Sequence, residues 1–374
     1  MFLMMAEVLM LEKLSLSLPE SSMLSFFAYH QTHVEWRGAS LHDLIQPSFS
    51  FLVGVAMPFS IFSRKSKGQN ENSLFIHILK RSFILILLGV FLRSLGKEIT
   101  YWTFEDTLSQ IGLGYTFLYF IYKSRPNIQK FVFTSILIGY GLAYAIYPVA
   151  NSNFNWETVG VAQNWEHLMQ GFSAHWNKNY NLGNAFDQWF LNLFPRESPF
   201  VYNSGGYLTL SFIPTLATMV LGLWAGDSLF NKTESNTQIK KFLIIGLILI
   251  TVGFLLDLFG ICPNVKRIWT PSWVLFSGGC CYLFLSLFLY LSRFKVSSKM
   301  LYFLQIIGIN SIAAYLIAHV LPDFISSNLK IHLYEGVFNI FGNSYHPLVL
   351  GTIVLLIELL ILRWMYKNKI FIKI

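Results

Sequence analysis

The strongest constraint in this sequence is a recurrence of apolar runs about 20 residues long, from residue 42 to the C-terminus, most of them closed by Lys or Arg. A run of that length suits a membrane crossing, and in lipid only a helix or a closed barrel satisfies its own backbone hydrogen bonds. Charged residues make up 12% of the chain, against roughly 25% in soluble domains. The expectation is an all-α, polytopic integral membrane helix bundle of about ten transmembrane helices. Nine of them fall at about 42–63, 75–95, 105–122, 129–149, 208–226, 241–260, 272–292, 302–321 and 346–366. Met1 to Leu18 is apolar but short and is interrupted by Glu7, Glu12 and Lys13, so it reads as the end of a first, truncated helix. A long loop, about 150–206, separates the fifth and sixth helices.

The formal charge of +8 is spread between the spans and builds no basic domain, which argues against nucleic acid as a partner. The cations cluster after alternate spans: Arg64, Lys65 and Lys67; Lys123, Arg125 and Lys130; Lys232, Lys240 and Lys241; Arg293, Lys295 and Lys299. The positive-inside rule then places these loops and both termini in the cytoplasm. The loop holding the first histidines, the 150–206 loop and CPNVKRIWTPS share the opposite face. The aromatics and amides of the long loop suit either sugar stacking with hydroxyl recognition or a lid with interfacial anchors. Cys262, Cys280 and Cys281 show neither metal spacing nor a disulfide framework. MFLMMAEVLMLEKL lacks the basic start and cleavage site of a signal peptide. Gly54, Gly222, Gly226, Gly278 and Gly279 suit close helix packing and follow no nucleotide-binding pattern.

Chemistry concentrates between Tyr29 and Ser60. Within fourteen residues this stretch places His30, His33, Glu35, Arg37, His42 and Asp43, and it runs directly into an apolar span. Histidine titrates near neutral pH and can take a proton from an amine or carry an acyl group. Asp43 could orient an imidazole or pair with Arg37. His30 and His42 read as interfacial polar residues, whereas for His33 the interfacial and catalytic readings are even. Polar groups inside spans are costly. Asn310 serves either as a helix–helix clasp or as part of a substrate tunnel, and Asp257 and His319 lie near span ends. Arg93 and Glu105 read as an ion pair at the external ends of their spans.

HVEWRGASLHDLIQPSFSFLVGVAMPFS resembles the H-x-x-W-x-G-x-x-x-x-D-L-x-x-P-x-F-x-F-x-x-G region of the heparan-α-glucosaminide N-acetyltransferase family of transmembrane acyltransferases, in particular its bacterial members. WFLNLFPRESPFVYNSGGYLTLSFIPTLATMVLGLWAG, KRIWTPSWVLFSGG and GINSIAAY resemble further blocks of that family, in the same order. The resemblance covers nearly the whole chain and implies one transmembrane acyltransferase domain over residues 1–374. It implies acetyl transfer from cytoplasmic acetyl-CoA to the amine, or hydroxyl, of a glucosamine-type sugar outside. The histidine of the H-x-x-W block falls on His33, as general base or acetyl carrier, with Asp43 beside it. Trp36, Arg37, Asn310 and Trp269 are the candidate acceptor-binding residues, and Arg64, Lys65 and Lys123 the candidate acetyl-CoA contacts, with no metal. Three family features differ: an opening L-D-x-x-R-G stretch is absent, Arg37 replaces the Asn of W-N-G, and Gln110 replaces the Arg of L-Q-R-I. Glu7 is the nearest polar residue to a family Asn at the end of the first span. The setting implied is a bacterial inner membrane, with lipid as surroundings and a homodimer left open. The competing reading is a glycan or small-molecule transporter or flippase without covalent chemistry, which would use Asn310, Asp257 and His319.

Overall fold

The structure, a computed structural model, describes residues 1–231, 235–294 and 297–372, the side chains of 297–300 apart. Lys232, Lys295 and the side chain of Lys299, counted above among the loop cations, lie outside the described residues. Among the described residues the chain is helical and forms no strand, with one isolated antiparallel bridge between Arg37 and Val265. Among the described residues eight helices are long and apolar enough to cross a membrane: His42–Lys65, Glu71–Ser94, Pro126–Ile146, Thr209–Phe230, Ser235–Leu258, Pro271–Leu291, Ser311–His332 and Asn343–Lys367. This is the make-up of an integral, multi-pass membrane protein.

Several boundaries differ from the sequence expectation, each for a local reason. The third span begins at Glu71, capped by Asn70, whose side chain accepts the Ser73 amide at 2.8 Å. Lys80 and Arg81 therefore lie inside the helix and not at its entry. The fourth, Thr107–Lys123, has 17 residues and is capped by Asp106. The fifth starts at Pro126, which fits the first helical turn because its missing N–H is not needed there. Lys240 and Lys241 belong to the helix Ser235–Leu258. The ninth span is not one helix over 302–321. Ser297–Ile309 ends at Asn310, and Ser311–His332 starts beyond it. Asn310 leaves helical geometry (φ −107°, ψ 39°), while its carbonyl accepts the Ala314 amide at 2.8 Å. The 150–206 loop is not open coil but contains short 3-10 turns and the helix Leu182–Phe190.

The chain divides into two compact units. The first joins Met1–Val34, Ser40–Ile45 and Tyr290–Ile374. Its core holds Met5, Ile306, Ile307, Ala313, Ala314, Leu355 and Leu362. The short N-terminal helices lie against the last helix so closely that a Cβ at Gly351 would stand 1.9 Å from the Val8 carbonyl oxygen. Gln31 ties this segment down, donating to the Ala6 carbonyl at 2.6 Å and accepting the Leu11 amide at 2.9 Å.

The second unit joins Glu35–Ala39 and Gln46–Leu289. Thr209–Phe230 is the most enclosed of the eight long helices. A Cβ at Gly54 would stand 1.9 Å from the Met219 carbonyl oxygen, and one at Gly222 1.9 Å from that of Phe51. Small residues at such crossings let backbones approach where lipid offers no hydrophobic drive for helices to associate. Substituting Val at Gly222 is expected to cost about 1–3 kcal/mol or more through overpacking. Thermal unfolding in detergent, followed by size-exclusion chromatography, checks this; an unchanged midpoint would remove the packing role.

Candidate active site

His33 is positioned by the end of one helix and the start of another. Ser21 caps the helix Ser22–Gln31 by accepting the Leu24 amide at 3.3 Å. The helix stops at Thr32, which is extended, so His33 stands just past its end. A 3-10 turn, His42–Leu44, then opens the helix Ile45–Lys65 and presents Asp43. His33 Nδ1 lies 2.8 Å from Asp43 Oδ1. The Asp43 side chain is 1% exposed and that of His33 36% exposed.

A buried carboxylate needs donors. Asp43 Oδ2 accepts from the Val34 amide at 3.2 Å and the Ser40 amide at 3.0 Å. Ser40 Oγ lies 3.0 Å from the same oxygen and 2.6 Å from the Thr32 carbonyl, so its single proton serves one or the other. Ser40 Oγ also stands 3.3 Å from the Asp43 amide, which donates to it. His42 is buried, and its ring centroid is 4.4 Å from that of His33 in an edge-to-face arrangement. His42 Nε2 is 3.7 Å from Glu7 Oε2. The result is an Asp–His pair with a second histidine against it, all within the first unit. An aspartate bonded at Nδ1 fixes the tautomer and leaves the basic lone pair on Nε2.

The other sequence candidates fall elsewhere. Of the two partners considered for Asp43, His33 is the one it meets; Arg37 pairs with Asp257, Nε to Oδ1 at 2.8 Å, in the second unit. Trp36 is fully buried and donates from Nε1 to the Trp176 carbonyl at 3.1 Å. Trp269 is buried with a positive φ of 51°, its indole N–H on Thr218 Oγ1 at 3.1 Å. Asn310 holds the tail, donating to the Ile370 carbonyl at 2.8 Å and accepting the Ile372 amide at 3.2 Å. Lys65 and Lys123 flank Glu71 at 2.6 and 3.0 Å, and Arg64 reaches Gln69 at 3.4 Å. Arg93 pairs with Glu105 and Asp106, both at 3.6 Å. The amides of the 150–206 loop are largely spent within it. Asn177 exchanges two bonds with the Met169 backbone, and Asn179 and Asn181 donate to the Val159 and Asn177 carbonyls.

Sequence reasoning singled out neither Ser40 nor Asp187. The signal for Ser40 was its place three residues before Asp43, the spacing at which a hydroxyl reaches a turn backbone. Asp187 stands in the helix Leu182–Phe190 and accepts the Thr209 amide at 2.9 Å. Burial pushes its carboxyl up to about 7. No protein-family model matches the chain, and no curated protein matches it significantly.

Because the folded-state value of Asp187 lies above the ordinary 3.8, the folded protein keeps a proton that the unfolded chain releases. Its contribution to stability is therefore full below about pH 4 and is lost as the pH rises to about 7. Asp187→Asn is expected to flatten that fall. Thermal unfolding of both proteins across this range decides the matter, and parallel curves would reject it.

Proposed function

We propose that this protein is a transmembrane acetyltransferase that moves an acetyl group from cytoplasmic acetyl-CoA to the amine, or hydroxyl, of a glucosamine-type sugar on the external side. The observation that carries the reading is the His33–Asp43 pair, with a partly exposed imidazole held at 2.8 Å by a buried carboxylate. The sequence resemblance assigns catalysis to the same histidine. As general base, His33 Nε2 takes the proton of the attacking amine while the new N–C bond forms and the C–S bond to CoA breaks. The sulfur leaves as thiolate, and Asp43 stabilises the imidazolium that results. As acetyl carrier, His33 Nε2 attacks the thioester, its new N–C bond forming as the C–S bond breaks and CoA leaves as thiolate; the sugar amine or hydroxyl then takes the acetyl group as that N–C bond breaks, and its proton passes to the freed imidazole.

The membrane arrangement proposed has both termini in the cytoplasm of a bacterial inner membrane. It rests on the charge pattern: the helix Ile45–Lys65 begins beside Asp43 and ends on Arg64 and Lys65, so positive-inside sets the Asp43 end outside. Thr107–Lys123 is about 26 Å long and serves as a further crossing, since otherwise the basic loops would fall on both faces. The N-terminal segment then makes up the count of about ten. Support for a transporter is reduced because Asn310, Asp257 and His319 are each engaged within the chain. His319 Nδ1 stands 2.8 Å from the Tyr315 carbonyl of its own helix.

Purified protein incubated with radiolabelled acetyl-CoA and glucosamine is expected to pass label to the sugar, or to itself. His33→Ala should abolish that label, and Asp43→Asn should lower the rate about 10²–10⁴-fold by analogy with other Asp–His pairs. Undiminished transfer in folded His33→Ala would end this reading.

A further inference from the structure

The helix Glu71–Ser94 carries basic side chains within its apolar sequence. His77 and Arg81 are four residues apart and so share a face. They lie six and ten residues past Glu71, roughly 9 and 15 Å along the axis. Ionisable side chains at such depth are expensive and are kept where they meet a partner.

The chain itself supplies little of that partner. Among the described residues no carboxylate pairs with Arg64, His77 or Arg81. Arg81 Nε and His77 Nε2 are buried with no hydrogen-bond partner among the described residues. The Arg81 guanidinium lies over the ring of Tyr115, 4.7 Å from its centroid, on the neighbouring helix Thr107–Lys123. Arg64, from the end of the helix Ile45–Lys65, is a charged neighbour of His77, as is Arg81. Three cationic or donor side chains from two helices thus gather where dispersal would cost less. Lys65 and Lys123 are different, because both pair with the one carboxylate of Glu71.

We propose that Arg64, His77 and Arg81 form a phosphate-ester subsite, reached from the Arg64 end of the bundle. Two guanidinium forks and an imidazole N–H match the several oxygens of a phosphate or diphosphate, and an anion there neutralises charges that the chain leaves uncompensated. The subsite stands on its own geometry; that its occupant is the diphosphate of the acyl donor rests on the acetyltransferase reading. An anionic lipid headgroup carries the same chemistry.

The test uses the full chain in phosphatidylcholine nanodiscs, titrated with coenzyme A, and the same protein with phosphatidylglycerol added, read by native mass spectrometry. If the donor binds here, Arg64→Gln and Arg81→Gln each weaken coenzyme A binding about tenfold, and Lys97→Gln, beyond the far end of the helix Glu71–Ser94, changes it little. If lipid binds here, coenzyme A binding is unchanged while the phosphatidylglycerol retained by the wild type is lost from both Arg variants. Either result upholds the subsite. The second detaches it from the donor and leaves the acetyl-transfer reading to the His33→Ala assay. Variants that hold both ligands like the wild type overturn the proposal, as does a wild type that holds neither. Should Arg81→Gln fail to fold, Arg64→Gln, at the helix end, and the charge-keeping Arg81→Lys carry the comparison.

Discussion

Bare backbone pressed against bare backbone, at Gly54 and Gly222, is the contact on which the packing of the second unit turns. A membrane gives two apolar helices no reason to prefer each other over lipid tails, so closeness must come from shape. The carbonyls of Met219 and Phe51 occupy the volumes that side chains at Gly54 and Gly222 would fill. The same economy recurs where Gly279 and Gly246 face each other's carbonyl oxygens. Around this seam the helices turn their large apolar side chains outward: Phe83, Phe131 and Ile146 are all largely exposed. In water that surface would be a liability, and in hydrocarbon it is the expected exterior.

Polar interactions do a different job here, fixing particular places and not the bulk. The Asp43 carboxylate is surrounded by donors from three points of one short loop, so the loop's conformation and the orientation of His33 are set together. Ser40 links the two, standing between Asp43 and the Thr32 carbonyl at the end of the preceding helix. Thr32 is extended, and the chain beyond it brings both ends of this loop to the same carboxylate.

How much of this was legible in the sequence depends on the kind of signal. The apolar runs announced the helices because length and hydropathy are summed over many residues, and the glycines announced close packing because nothing else fits such crossings. Boundaries were harder. Glu71 and Asn70 look like loop residues, yet Asn70 is the cap that starts a helix, and this places Lys80 and Arg81 well inside that helix. Hydropathy places a break at charge, whereas the backbone places it where a cap can form. The His33–Asp43 pairing was one of two open possibilities, since ten residues of loop do not say which carboxylate an imidazole meets. Asn310 stands open in the sequence between a helix–helix clasp and a tunnel residue; its hydrogen bonds go to neither, but to the tail at Ile370 and Ile372, some sixty residues away, which no local pattern could name.

The first unit is assembled from stretches far apart in sequence: Met1–Val34 and Ser40–Ile45 join Tyr290–Ile374, while nearly all of the second unit lies between them. A ribosome therefore releases the helices of the second unit before the first can close. Met5 must wait for Leu355 and Leu362, and Asn310 for the residues after Lys369. The histidine and aspartate precede the helices of the second unit, yet the unit that holds them is completed by residues that follow those helices. A chain interrupted after Leu289 would thus hold the helices of the second unit but leave the N-terminal apolar segment without the surface it packs on.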